Sequence, residues 1–145
     1  MKIGVIGLGD IALKAYLPVI SGIENIEFHL YTRNEAKLAQ VAQKYRFQKI
    51  HQNLYSLINS GIKGAFVHTA TESHYEIVKQ LLLNNIHVYV DKPLSFHYEQ
   101  SQELVQLAEK KELKLMVGFN RRYAPSYQKL KELADPNMII MQKNR

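Results

Sequence analysis

The 145-residue sequence contains no cysteine and no tryptophan. Without cysteine, the chain has no disulfide, no thiolate metal ligand and no cysteine nucleophile, which fits a reducing compartment. No apolar run approaches the roughly 20 residues that cross a bilayer, and the N-terminus lacks the basic leader and cleavage site of a signal peptide. We therefore expect a cytoplasmic protein without a membrane partner.

The chain also lacks a block of clustered positive charge, although its formal net charge is +6. Lysines alternate with glutamates, as in Glu-Lys-Lys-Glu at 109–112, whereas nucleic-acid-binding proteins usually gather basic residues on one face. The pattern favours a solvated surface and no nucleic-acid partner, with a nucleic-acid-binding module at 110–131 as the weaker alternative. The six histidines lack the spacing of metal ligands, so no metal site is predicted.

What the sequence does contain is a glycine turn at its start. An apolar run at 3–6 leads into Gly7, Gly9 and Ala12 at the spacing G-x-G-x-x-A. A tight turn of this kind removes side chains where a pyrophosphate approaches the backbone and aims the amides of the following helix at its charge. The predicted cofactor contacts of this turn are Gly7, Leu8, Gly9, Asp10, Ile11 and Ala12.

Strand-like and helix-like segments alternate six times along the chain. Strands are predicted at 3–6, 26–31, 47–51, 64–69, 87–90 and 114–119. This alternation predicts an α/β protein with a doubly wound, mostly parallel sheet, that is, a Rossmann fold with helices on both faces. Pro18 is expected to kink the first helix or to end its first part. The helix at 98–112 is expected to turn four apolar side chains inward: Leu104, Val105, Leu107 and Ala108.

The dinucleotide-binding domain is predicted to cover residues 1–120. A connecting, partly helical segment follows at 121–136, and a strand-like run occupies 137–145. Because a strand needs a partner, this run either joins an edge of the main sheet or begins a second domain. The second possibility is favoured, since ligands of such folds lie in a crevice that another domain normally covers.

Ligands of a doubly wound sheet bind outside the carboxyl ends of the strands, so residues there are the site candidates. After the second strand, where an acidic residue would hold the ribose 2′-hydroxyl of NAD, the sequence has Thr32 and Arg33. A hydroxyl and a guanidinium suit a 2′-phosphate. NADP is therefore favoured over NAD as the cofactor, with a solvated Arg33 as the alternative interpretation.

A second candidate, Asp91-Lys92-Pro93, follows the fifth strand. The proline fixes the turn, so Lys92 is well placed to donate to a substrate oxygen or to relay its proton, as hydride transfer from an alcohol carbon requires. The residues alone also allow a surface ion pair between Asp91 and Lys92. His74, at the start of the helix after the fourth strand, is expected to be packed or capping, with cofactor contact as the alternative.

Together these residues resemble the N-terminal domain of the Gfo/Idh/MocA oxidoreductase family, over essentially the whole chain. The resemblance rests on V-I-G-L-G-D-I-A at 5–12, H-T-A-T-E-S-H at 68–74, V-D-K-P-L at 90–94 and G-F-N-R-R-Y-A-P at 118–125. Within the family, the motifs are most similar to the MviM-like branch.

The resemblance implies an NAD(P)-dependent oxidoreductase that transfers hydride between nicotinamide and a hydroxyl carbon of a sugar, cyclitol or similar small molecule. It implies that Lys92 acts on the substrate hydroxyl and that Asp91, in place of the usual glutamate, supports it. A threonine-proline pair of the family corresponds to Thr69 and Ala70, so that Thr69 still reaches the nicotinamide ribose. Beyond the glycine turn, the implied cofactor contacts are Thr32, Arg33, Thr69, Ala70, His74 and Lys92.

Family members continue into a second α/β domain that completes the substrate site and usually forms the dimer interface. The resemblance therefore implies that this chain is a domain fragment which binds cofactor with little turnover, and that the full-length parent is a homo-oligomer. Since a fold alone does not fix a function, a non-catalytic NADP-binding sensor or interaction protein is the alternative.

Overall fold

The computed structural model describes residues 1–133, which form one six-stranded parallel sheet. The strands are β1 (Lys2–Ile6), β2 (Glu27–Tyr31), β3 (Lys49–His51), β4 (Gly64–Val67), β5 (His87–Asp91) and β6 (Leu115–Gly118). Their order in the sheet is β3-β2-β1-β4-β5-β6, and every neighbouring pair is parallel. This is the Rossmann order, so the predicted doubly wound sheet is confirmed.

Six α-helices connect or follow the strands. They are α1 (Leu17–Ile20), α2 (Glu35–Tyr45), α3 (Leu54–Ile58), α4 (His74–Leu83), α5 (Tyr98–Lys110) and α6 (Pro125–Glu132). Two helices begin at asparagine caps, because Asn34 Oδ1 accepts from the Lys37 amide at 2.9 Å and Asn53 Oδ1 accepts from the Ser56 amide at 2.8 Å.

The helices cover both faces of the sheet, as predicted. Side chains alternate along a strand, so Val5 and Ile6 of β1 point to opposite faces. Val5 packs in a buried cluster with Leu17 of α1 and Leu38 of α2. Ile6 packs in the other buried cluster, which takes its helical members from α3, α4 and α5. On α5, the prediction for Val105 was wrong, since it is 43% exposed and only Leu104 and Ala108 are buried.

The first helix starts as a π-helical turn. In Ala12–Tyr16 the amide of Leu17 donates to the carbonyl of Ala12, five residues earlier, and α1 follows with Pro18 near its start. A proline lacks an N–H and its ring crowds the carbonyl four residues earlier, so a regular helix does not run through it. A kink or an end of the helix was predicted at Pro18; the structure instead has a widened turn before it, which carries Tyr16, and the helix continues to Ile20.

The chain beyond β6 begins with a 3-10 turn, Asn120–Tyr123, followed by α6. This is the part of the predicted connecting segment that the structure describes. Its remainder and the strand predicted at 137–145 lie outside the described residues. Within residues 1–133 no helix is both long enough and apolar enough to span a membrane.

Candidate cofactor site

Two adjoining crevices lie at the carboxyl ends of the strands. The first, of about 620 Å³, is bordered by the glycine turn, the residues after β2 and the start of α4. The second, of about 810 Å³, is bordered by the turn after β5 and the segment after β6. Thr69 and Ala70 line both crevices, so the two meet there as one groove.

The glycine turn is packed directly against the end of β4. Gly7 has φ +85°, and a Cβ at this position would lie 2.8 Å from backbone atoms of His68 and Thr69. The Gly7 amide donates to the Tyr31 carbonyl at 2.9 Å. At Gly9, by contrast, the nearest atom to a Cβ would be the His68 carbonyl oxygen, 3.8 Å away. Gly7 is therefore required by the fold, whereas Gly9 leaves the groove open.

Asp10 follows at the beginning of the first helix, where its charge would oppose that of a pyrophosphate. Its carboxylate lies 2.8 Å from Lys14 Nζ, one helical turn later, and both side chains are exposed. This hydrogen bond lowers the pKa of Asp10, and the lysine charge lowers it further. Neither Asp10 nor Lys14 is among the residues that line the two crevices.

Thr32 and Arg33 line the first crevice directly after β2, as expected from their place in the sequence. Lys37 lines it too, and sequence analysis did not identify this residue. The available signal was the Asn34 cap, because a residue three positions after a cap lies in the first turn of the helix. The opposite part of the lining includes two carboxylates, Glu72 and Glu76.

Lys92 lines the second crevice and is exposed. Among the salt bridges of residues 1–133, none joins it to Asp91. Three further residues of this lining, Asn120, Arg121 and Arg122, appeared in sequence analysis only as part of a motif and without a role. Their signal was their position directly after the carboxyl end of β6.

The carboxylate of Asp91 is turned into the protein. Its Oδ2 lies 2.8 Å from Nδ1 of His68, whose residue is 4% exposed, and the Tyr16 hydroxyl lies 3.4 Å from Oδ1. His68 is thus a buried, hydrogen-bonded side chain. Asp91 and Lys92 both line the second crevice, but the Asp91 carboxylate is bonded to a buried histidine whereas Lys92 is exposed.

Three polar side chains close a ring beside Asp91. The Tyr16 and Tyr89 hydroxyls are 2.7 Å apart, the Asn120 amide donates to Tyr16 at 2.9 Å, and Tyr89 donates to Asn120 Oδ1 at 2.7 Å. Burial raises the pKa of Tyr89, and its hydrogen bond with Tyr16 raises it further. The ring joins the π turn, β5 and the segment after β6, which border the second crevice.

His74 is packed at the start of α4. The residue is 1% exposed, its Nδ1 lies 2.8 Å from the Pro93 carbonyl, and its Nε2 lies 3.0 Å from the Thr69 carbonyl. The interpretation of His74 as a packed side chain agrees with this geometry, and a contact with cofactor stays a prediction. Within the described 133 residues, no group of three or more histidine or carboxylate side chains is arranged to hold a metal.

A parallel sheet in the Rossmann order, with a glycine turn opening onto a groove at its carboxyl edge, defines a dinucleotide-binding domain. The chain belongs to the Gfo/Idh/MocA oxidoreductase family, because the model of that family's NAD-binding Rossmann fold matches residues 1–119. The resemblance stated from the sequence is therefore confirmed.

Individual relatives agree with this assignment. The chain is 39% identical to YceM of Salmonella typhimurium, over all of this chain and 47% of that protein. It is 28% identical to the myo-inositol 2-dehydrogenase of Thermotoga maritima, over 96% of this chain and 42% of that protein. The crystal structure of the dehydrogenase MviM from Clostridium difficile is 45% identical with a TM-score of 0.86, over 93% of this chain and 44% of that one. The chain thus spans less than half the length of these relatives.

Proposed function

We propose that this chain is the cofactor-binding part of an NADP-dependent oxidoreductase, which transfers hydride between nicotinamide and a hydroxyl carbon of a sugar, cyclitol or similar small molecule. The observation that carries the proposal is the continuous groove, with the glycine turn at one end, Lys92 at the other and Thr69 where its two parts meet. A dinucleotide needs an elongated site of this kind.

Two features of the groove fit the cofactor. The glycine turn is open at Gly9, where a side chain would occupy the space above the helix amides. Within the described residues, Thr69 Oγ1 is buried without a hydrogen-bond partner, at the junction of the two crevices. A buried hydroxyl without a partner costs about 1–3 kcal/mol, which a ribose hydroxyl in the groove would recover.

Each end of the groove would hold a different part of the cofactor. The turn at 7–12 would bind the pyrophosphate through its amides. Thr32, Arg33 and Lys37 would bind the 2′-phosphate, and the two cations support NADP over NAD. Glu72 and Glu76 line the same crevice, and their carboxylates would repel a 2′-phosphate. The preference for NADP over NAD therefore requires that Arg33 and Lys37 lie nearer to the ribose than the two glutamates do.

The chemistry would take place at the Lys92 end. Bound nicotinamide supplies the site that accepts or donates the hydride. Lys92 Nζ would hold the reacting substrate oxygen and move its proton, because an alcohol oxygen loses its proton when its carbon loses hydride. Asp91, bonded to His68 at 2.8 Å, would support the turn that carries Lys92.

The substrate class rests on relatives and on the crevice. The name of the Thermotoga maritima relative states that it acts on myo-inositol, a cyclitol. An exposed lysine with an asparagine and two arginines offers many donors, as a polyol with several hydroxyl groups requires. We also propose that the full-length protein is a cytoplasmic homo-oligomer.

Calorimetric titration of this chain with NADP and NAD tests the cofactor assignment. We expect NADP to bind at least about tenfold more tightly, since charge-assisted hydrogen bonds contribute about 1.5–3 kcal/mol each. Arg33→Ala should remove most of this preference by weakening NADP binding while NAD binding is unchanged. Lys110→Ala, at the far end of α5, is the control for a lost positive charge. Equal affinities for both dinucleotides would contradict the NADP assignment, and absence of binding would contradict the cofactor site in this chain.

A further inference from the structure

Lys92 has no side-chain contact that fixes its position. Among the side-chain hydrogen bonds and salt bridges of residues 1–133 none involves Lys92, and the residue is exposed. A flexible lysine costs about 1.5–2 kcal/mol of side-chain entropy when it is immobilised for catalysis. The position of Lys92 therefore depends on how firmly its turn is held by its neighbours in the chain.

Two buried histidines hold that turn, one on each side of Lys92. His68 bonds through Nδ1 to the carboxylate of Asp91, the residue before it, at 2.8 Å. His74 bonds through Nδ1 to the carbonyl of Pro93, the residue after it, at 2.8 Å. Both histidines come from the connection between β4 and α4, so a single segment contacts both flanks of the lysine.

The ring of His68 is costly to bury, which argues against a simple packing role. Its Nε2 is buried without a hydrogen-bond partner among the described residues, at a cost of about 1–3 kcal/mol. Aromatic rings border it, with the Tyr16 centroid at 4.1 Å and the Phe66 centroid at 5.8 Å. These rings set the plane of the imidazole, so that Nδ1 is directed at Asp91.

The ring of His74 links the loop that carries Thr69 to the turn that carries Lys92. Its Nε2 lies 3.0 Å from the Thr69 carbonyl, while its Nδ1 contacts Pro93. Thr69 stands where the two crevices meet, beside the proposed nicotinamide ribose. One buried ring thus fixes the spacing between the cofactor-contacting loop and the turn that carries the lysine.

We propose that His68 and His74 are positioning residues, which hold the Lys92 turn from both sides and set the distance between Lys92 and the nicotinamide end of the groove. The inference rests on the proposed function, because it assumes that nicotinamide lies beside Thr69. It adds a division within the groove. His68 also lines the first crevice, but its side chain is fully buried, so only its backbone borders that crevice and both imidazole rings serve the nicotinamide end.

Binding of two ligands by the same variants tests this division. NADP fills the whole groove, whereas adenosine 2′,5′-bisphosphate carries only the adenine half. We expect His68→Leu and His74→Leu to weaken NADP binding about tenfold and to leave the bisphosphate affinity within about twofold. His68→Asn, which keeps a donor near the position of Nδ1, should recover most of the NADP affinity. His97→Ala, an exposed histidine beside the same turn, is the matched control.

A second measurement reports the rigidity of the turn that carries Lys92 and needs no cofactor. Backbone ¹H–¹⁵N heteronuclear NOE values at Asp91, Lys92 and Leu94 should fall in both leucine variants. Val78→Ala, which removes buried side-chain atoms from α4, should lower overall stability without lowering these values. If His68→Leu does not fold, His74→Leu carries both measurements, with Val78→Ala as its control for lost stability.

The outcomes separate the possible failures. Equal weakening of NADP and bisphosphate binding would overturn the division of the groove and leave the histidines a general structural role. Unchanged NOE values at the turn would overturn the positioning role itself. If the parent chain binds neither ligand, the proposed cofactor site fails, and the NOE values still decide whether the histidines hold the turn.

Discussion

Alanine at Gly7 and alanine at Gly9 should damage the protein in different ways, although both glycines belong to one motif. Gly7 has φ +85°, and its Cβ would lie 2.8 Å from the carbonyl carbon and oxygen of His68 and from the Thr69 amide nitrogen. These are backbone atoms at the end of β4, which does not move without disturbing the sheet. A Cβ at Gly9 would meet only the His68 oxygen, at 3.8 Å, an ordinary van der Waals contact.

The expected magnitudes follow from these contacts. For Gly7→Ala, the left-handed backbone costs about 1–2 kcal/mol and the overpacking about 1–3 kcal/mol, so the free energy of unfolding should fall by about 2–5 kcal/mol. For Gly9→Ala, stability should stay the same or rise by up to about 1 kcal/mol, because alanine restricts the unfolded chain. Its methyl group would nevertheless stand in the groove, so NADP affinity should fall at least about tenfold.

Urea unfolding followed by far-ultraviolet circular dichroism measures stability, and calorimetric titration measures affinity. The chain has no tryptophan, so circular dichroism is the suitable probe. A Gly7→Ala variant as stable as the parent would refute the close-packing argument. A Gly9→Ala variant that binds NADP normally would refute the placement of the pyrophosphate over this turn.

Two further predictions concern Lys92 and His51. In a protein that carries both domains, Lys92→Met should lower the rate of myo-inositol or related polyol oxidation by about 10²–10⁴ and leave NADP affinity unchanged. If the unmodified protein binds NADP but shows no turnover, the alternative of a non-catalytic sensor is favoured. Burial, then the charge of His29, holds the pKa of His51 below its usual 6.5. His51 therefore takes up a proton more readily in the unfolded chain than in the folded one. The free energy of unfolding should be highest above about pH 6.5 and fall as the pH is lowered, by at most about 1.4 kcal/mol per pH unit. Urea midpoints at neutral and mildly acidic pH should show a weaker pH dependence in His51→Gln, and equal dependence in both proteins would contradict the assignment.

His51 ends a chain of hydrogen-bonded side chains between β2, β3 and α3. Glu27 Oε1 lies 2.7 Å from His29, His29 lies 2.9 Å from His51, and His51 lies 2.9 Å from Ser56 Oγ. Every polar atom of both histidine rings has a partner there. A proton added to His51 places a positive charge on a partly buried ring beside His29, which is why the pKa of His51 lies below its usual value.

Local signals carried the prediction of the fold. The asparagine caps at Asn34 and Asn53 satisfy helix amides within three residues, so their effect does not depend on the rest of the chain. The third strand was predicted from residue 47 but begins at Lys49. Arg46 ends α2 with φ +59°, and Phe47 then packs its ring against Phe28, at 5.9 Å between centroids, instead of joining the sheet. Whether Phe47 packs in the core or extends β3 depends on its tertiary contact with Phe28, which the local sequence does not indicate.

Some features of the candidate site are likewise visible in the local sequence, and others depend on tertiary structure. The rule that ligands lie beyond the carboxyl ends of strands led from the sequence to Lys92 and Thr69, because strand ends are visible in the chain. It did not lead to the bond between His68 and Asp91. That bond depends on the register of two strands 20 residues apart, in which Val67 pairs with Val90 and so brings the two following residues together. A single sequence specifies strands better than it specifies register.

The two ends of the groove also differ in the segments of the chain that build them. The first crevice, proposed for the adenine end of the cofactor, is lined by residues between Ile6 and Ile77, among them the glycine turn, the residues after β2 and the start of α4. The Lys92 end instead depends on Asn120, which bonds to Tyr16 and Tyr89 and lies on the segment that leads out of the domain. The residues after it, Arg121 and Arg122, are exposed and line the same crevice. The contacts proposed for the adenine half and the pyrophosphate therefore come from residues 6–77, whereas the proposed substrate end also requires the segment after β6.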